Sequence, residues 1–197
     1  MIQTLTKFFI LLLISSSVYG QTADKSQCEL QQLAIDAALG NSVAQYNLGV
    51  EFYRGKIVSQ DYGKAATMWR LAGNAGNIEA FNNLGYLTYY GKGVKQDYAE
   101  GIKLWRIAAE KGFAESQAHI GNAYYDGRFL KQDFVEAYAW AWTSKHFAQQ
   151  LNDEILAADI KKMAEELLLK SKKNLSNAQI VEAEKRAANY IAKYSSK

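Results

Sequence analysis

The side chains able to do chemistry are few and far apart. His119 and His146 are the only histidines in a chain of 197 residues, and Cys28 is the only cysteine. A zinc site needs several Cys, His or carboxylate ligands converging on one point, and a nucleophilic triad needs a histidine between a nucleophile and an acid. Neither histidine has a cysteine or a carboxylate pair at ligand spacing, so both read as packed or solvated imidazoles. No Gly-x-x-x-x-Gly-Lys-Ser/Thr run is present, and the short loop Gly91-Lys92-Gly93 has a structural explanation given below. The expectation is therefore no catalytic residue, no metal and no cofactor. A lone cysteine excludes an internal disulfide, and Cys28 reads as a small buried hydrophobe.

Charge patterning points the same way. The formal net charge is +3, which implies no nucleic acid or other polyanion as partner. Lys161, Lys162, Lys170, Lys172 and Lys173 cluster near the C-terminus, but Glu154, Glu165 and Glu166 interleave with them, as on a solvated helix face.

Residues 1–20 differ from all that follows. Lys7 supplies a positive start, Phe8 to Ile14 is an unbroken apolar run, and Val18-Tyr19-Gly20 ends in a small residue. This is the pattern of a cleavable secretion signal, and the run is too short to span a membrane. The expected mature chain starts near Gln21, is exported to the periplasm or secreted, and has no stable membrane insertion.

The rest of the chain contains no proline, which suits helices joined by glycine turns. Aligned against itself it repeats every 36 residues, a period of stacked helix pairs. Gly49, Gly85 and Gly121 form one column, and Gly55, Gly91 and Gly127 another. Gln60-Asp61, Gln96-Asp97 and Gln132-Asp133 follow, then Tyr62, Tyr98 and Phe134. A glycine inside a helix costs about 1 kcal/mol relative to alanine, so the first column implies a neighbour too close for a side chain. The second column ends the first helix in a left-handed conformation, and each aspartate caps the second. Trp69 with Trp105, Ala72 with Ala108 and Gly76 with Gly112 complete the unit. Leu33, Gly40 and Asn41 stand one period before Trp69, Gly76 and Asn77, so a single capping helix precedes the array.

This pattern resembles the Sel-one-like repeat, a relative of the tetratricopeptide repeat. The stretch from Asn83-Leu84-Gly85 through Gly91-Lys92-Gly93-Val94, Asp97, Trp105 and Ala108-Ala109 to Gly112 is the best copy. Thr88 and Gly101 depart from the family pattern, and the third copy replaces the double-glycine loop by Gly127-Arg128-Phe129-Leu130. The resemblance implies an all-α solenoid of tetratricopeptide-like helix-turn-helix repeats with helical caps. Its organisation would be a signal peptide at 1–20, a capping helix at 27–41, three repeats at 42–149 and capping helices at 150–194, the part after the signal forming one continuous domain.

The resemblance further implies a protein partner on the concave face of a monomeric array. The residues facing it would be Val43, Tyr46, Val50 and Tyr53, then Glu79, Asn82, Tyr86 and Tyr89, then Glu115, Ala118, Asn122 and Tyr125. Tyrosines offer large rigid area with a polar tip at binding surfaces. The column Tyr53, Tyr89, Tyr125 equally fits a core between repeats, and Asn82 and Tyr86, which do not repeat, favour binding. The implied function is an exported scaffold or adaptor. Two alternatives stand beside it, a periplasmic immunity protein that neutralises a secreted toxin and a β-lactam hydrolase; the latter lacks the paired cysteines of the relatives linked to β-lactams.

Overall fold

The computed structural model describes residues 25–195, so the signal at 1–20 lies outside the described residues. Among the described residues there are nine α-helices and no strand. The chain divides into two compact units, Met1–Asp97 and Tyr98–Lys197, where the sequence reading treats the array as one continuous stretch. In repeat architectures each element contacts only its neighbours, so compactness is a local property.

The first unit contains α1 (Lys25–Ala38), α2 (Ser42–Arg54), α3 (Tyr62–Asn74) and α4 (Ile78–Tyr90). The helix ends follow from side chains and glycine. Asn41 accepts from the Val43 and Ala44 amides, both at 3.0 Å, and Asn77 from the Ala80 amide at 3.0 Å, capping α2 and α4. Asp61 caps α3 through the Lys64 amide at 2.9 Å. Gly55 and Gly91 end α2 and α4 at φ 67°, the left-handed conformation the repeat demands.

The glutamine of each Gln-Asp pair has a role the sequence reading leaves unassigned. Gln60 Nε2 donates to the Tyr53 carbonyl at 2.9 Å and Gln96 Nε2 to the Tyr89 carbonyl at 3.1 Å. The Asp61 and Asp97 amides donate to the Phe52 and Thr88 carbonyls. One dipeptide thus satisfies carbonyls that helix termination orphans, while its aspartate in the first unit opens the next helix.

In the α2–α3 hairpin the interior glycine carries an aromatic ring. A Cβ on Gly49 would lie 2.5 Å from Trp69 Nε1, and that indole donates to the Tyr46 carbonyl at 3.1 Å. The close neighbour expected from the glycine column is therefore a tryptophan side chain, not backbone. Leu48, Phe52, Ala65, Met68, Trp69 and Ala72 bury around it.

The second unit contains α5 (Tyr98–Ala109), α6 (Ala114–Asp126), α7 (Phe134–Ala148), α8 (Glu154–Lys172) and α9 (Asn177–Ser195). The same devices recur: Gly127 at φ 66°, Gln132 Nε2 on the Tyr125 carbonyl at 2.8 Å, and Asp133 capping α7 through the Val135 and Glu136 amides. Gly121 is covered here by Leu167 of α8, whose Cδ2 would be 2.8 Å from an added Cβ. Helix α8 buries Ala157, Ile160, Ala164, Leu167 and Ser171, a spacing of three and four. Helix α9 opens on Ser176 and Gln179, which bond reciprocally as a capping box. It buries Ala183 and Ala187 against Tyr138 and Ala139 of α7, and Tyr190 stacks on Trp140 at 4.6 Å.

A polar tie reinforces that contact. Glu136 of α7 accepts from Arg186 Nη1 at 2.7 Å and from the Tyr190 hydroxyl at 2.9 Å. Burial and the adjacent Glu136 carboxylate push the Tyr190 phenol well above its ordinary range, and the Glu182 and Glu136 carboxylates hold Arg186 protonated. Glu136→Ala removes both bonds while leaving the stacked rings. We expect a loss of about 1–2 kcal/mol, read by hydrogen exchange as selective loss of protection over 177–195.

Cys28 corrects an expectation. It is exposed on α1, because that helix turns Leu30, Ala34 and Ala37 inward and position 28 falls on the other side of the 3.6-residue repeat.

Candidate protein-interaction surface

The helices that open each repeat, α2 and α4 in the first unit and α6 in the second, carry the residues predicted to face a partner. In the first unit Val43 and Glu79 are exposed, and Tyr46, Val50, Tyr53 and Tyr86 are half-buried. Asn82 and Tyr89 are each 2% exposed, which corrects their place on an open face. Asn82 is too short to reach past its neighbours and turns Nδ2 to the Asn83 Oδ1 at 3.3 Å. The Tyr89 ring is covered edge-on by Tyr90 at 5.1 Å. In the second unit Asn122, Tyr125 and Glu115 are half-buried and Ala118 is fully buried; Tyr125 meets Phe134 at 5.4 Å.

The tyrosine column therefore divides. Tyr89 belongs to the core, while Tyr53 and Tyr125 keep part of their rings in solvent. In the first unit the open tyrosines join residues that sequence reasoning did not assign to the face. Tyr53 packs on Tyr62 at 5.3 Å and on Trp69 at 5.5 Å, and Tyr86 on Tyr90 at 4.9 Å. Tyr90 is 40% exposed. Lys92 Nζ donates to the Tyr86 hydroxyl at 2.7 Å. The sequence signal for Tyr90 and Lys92 was weak, since each reads as an ordinary residue of a helix end or turn.

Each histidine packs against a neighbouring side chain. His119 lies flat on Trp105, ring centroids 4.7 Å apart, with Glu115 Oε1 at 3.9 Å from Nε2. His146 meets Gln150 through Nε2 at 3.0 Å. Among the described residues no group of three or more His, Cys, Asp or Glu could hold a metal ion, and no helix is long and apolar enough to cross a membrane.

Burial pushes the His119 imidazole down from 6.5 to about 4. The unfolded chain then takes up a proton near pH 6.5 that the folded chain accepts only near 4, so stability is lost as pH falls through that window and is intact above it. The expected loss is about 3 kcal/mol. His119→Asn, which restores the residue found one and two periods earlier at Asn83 and Asn47, should flatten the acid limb of a urea-midpoint series without moving its value at pH 7.5 by more than about 1 kcal/mol.

Among the described residues, nine helices and hairpins closed by one recurrent Gln-Asp latch define a helical repeat protein. The Sel1 repeat model matches residues 42–77, 78–113 and 114–141, and the chain belongs to the Sel1 repeat family. Sel1 repeats are in general protein–protein interaction modules. Two solved structures are similar. One is c5321, a protective antigen present in uropathogenic Escherichia coli strains displaying an SLR fold, at 29% identity and a TM-score of 0.73 over 96% of this chain and 38% of that one. The other is a Sel1 repeat protein from Oxalobacter formigenes, at 26% identity and 0.51 over 68% of this chain and 98% of that one. The chain thus spans well under half the length of c5321. No curated protein matches it. The fold class is an all-α helical repeat solenoid.

Proposed function

We propose that the chain is an exported scaffold that holds a protein partner on the face presented by the first helices of its repeats. The observation that carries this is the set Tyr46, Tyr53, Tyr86 and Tyr90 in the first unit, all partly open to solvent, with Tyr86 packed on Tyr90 and Tyr53 on Tyr62. Rigid aromatic area with hydroxyl tips binds at low entropic cost. Export rests on the leader pattern at 1–20, and it agrees with the description of c5321 as a protective antigen. Val50 adds to this set in the first unit, and Asn122 and Tyr125 hold the equivalent repeat positions in the second.

The tagged chain returned to its host and crosslinked should capture one dominant protein, and Tyr86→Ala should reduce that capture about tenfold or more with the unfolding midpoint little changed. Capture unaffected by Tyr86→Ala would reject this face. The partner's identity separates an adaptor from a periplasmic inhibitor of a secreted toxin.

A further inference from the structure

One cation of the first unit is held by tyrosines where a carboxylate would be expected. Lys92 Nζ lies 2.7 Å from the Tyr86 hydroxyl and 4.6 Å from the centroid of the same ring. Among the described residues it makes no ion pair. The bond to Tyr86, helped by the nearby phenols of Tyr53 and Tyr62, raises its pKa above the ordinary lysine value, so it carries its charge at any physiological pH.

The loop bearing this lysine is firmly seated. An added Cβ on Gly93 would lie 2.5 Å from both the Gly63 amide nitrogen and Tyr62 Cβ, so the backbone beside Lys92 rests directly on the first turn of α3. Further exposed cations stand on the same unit, Arg54 at the end of α2 and Lys56 and Lys95 in the loops that follow α2 and α4. Their acids sit at helix starts, where the Asp61 carboxylate is committed to the Lys64 amide and, at 3.8 Å, to its ammonium.

This edge therefore presents positive charge beside open aromatic area. Lys92 spends one of its three donors on Tyr86, and an ammonium bonds most strongly to a carboxylate. A cationic partner would be repelled and a neutral one would forgo the charge. We infer that Lys92, framed by Tyr53, Tyr62 and Tyr86, anchors a carboxylate of an acidic segment in the protein partner. The inference rests on the partner-holding reading of the same face and specifies its chemistry.

The test uses the full chain and a fluorescein-labelled peptide of repeated Asp-Glu-Leu, compared with its Asn-Gln-Leu isostere by anisotropy. The acidic peptide is expected to bind about tenfold or more tightly than the isostere, and to weaken with salt. Lys92→Met should remove about tenfold of that affinity, Lys92→Arg should keep most of it, and Lys162→Met on α8 should change nothing. Equal binding of the two peptides, no binding of either, or a Lys92→Met chain that binds like the unaltered one overturns the inference. A native partner lost with Tyr86→Ala but retained with Lys92→Met would also overturn it while the partner-holding reading stands; a partner retained by both variants removes the two together.

Discussion

Replacing Gly93 by alanine is expected to destabilise the first unit by about 3 kcal/mol or more, lowering its urea midpoint by about 1.5 M at a slope of about 2 kcal/mol per M. Two costs combine. Gly93 has φ 66°, where an L side chain is strained by about 1 kcal/mol or more. The new methyl would also meet the backbone of Tyr62 and Gly63 at 2.5–2.6 Å, and backbone in the first turn of α3 cannot swing aside as a flexible side chain does. Gly76→Ala is the internal control. It shares the left-handed conformation at φ 95° but has nothing within 4 Å of the place its methyl would take, so it should cost only about 1–2 kcal/mol. Equal losses at the two positions would show that conformation, not the seating of one loop on the next helix, governs this turn.

The second large effect is a coupled pair. Gln45 and Gln117 stand one period on either side of Phe81, and Ala37 and Ala109 one period on either side of Gly73. Gln45 Nε2 donates to the Ala37 carbonyl at 3.0 Å, and Gln117 Nε2 to the Ala109 carbonyl at 3.1 Å. In the intervening repeat the phenylalanine ring lies where a Cβ of residue 73 would be, Cε1 at 2.7 Å from that point. Glycine and phenylalanine have therefore replaced alanine and glutamine as a pair. Gly73→Ala alone should cost about 2–3 kcal/mol through overpacking, and Phe81→Gln alone a similar amount through lost burial. The double variant should cost clearly less than their sum, by about 1.5 kcal/mol, since a glutamine at 81 can reach the carbonyl of 73 as its counterparts do. Additive losses within about 0.5 kcal/mol would reject the pairing.

These two cases mark how far the sequence alone reaches. The glycine column at 55, 91 and 127 and the aspartate caps were legible because each answers a local backbone need that one residue type meets best, and the column at 49, 85 and 121 because it recurs at the repeat period. Cross-element pairings were not. That Gln60, Gln96 and Gln132 return to the carbonyls of Tyr53, Tyr89 and Tyr125 depends on the path of a loop, and that Phe81 answers Gly73 depends on the helix crossing. The face was legible as a register but not as a surface. Tyr53 and Tyr89 hold equivalent positions, yet only Tyr53 stays open, because what covers a ring is set by its neighbours. Lys92 joined the face through a hydrogen bond to Tyr86 that spacing alone does not announce.

The central claim, that the open tyrosine face of the first unit holds the partner, is tested most directly by a photocrosslinking amino acid placed at single positions in the living host. Incorporation at Val50 or Tyr86 should trap one and the same protein, whereas incorporation at Leu169, exposed on α8 of the second unit, should trap none. Trapping at Leu169 with silence at Val50 and Tyr86 would contradict the account and move the contact surface to the C-terminal helices.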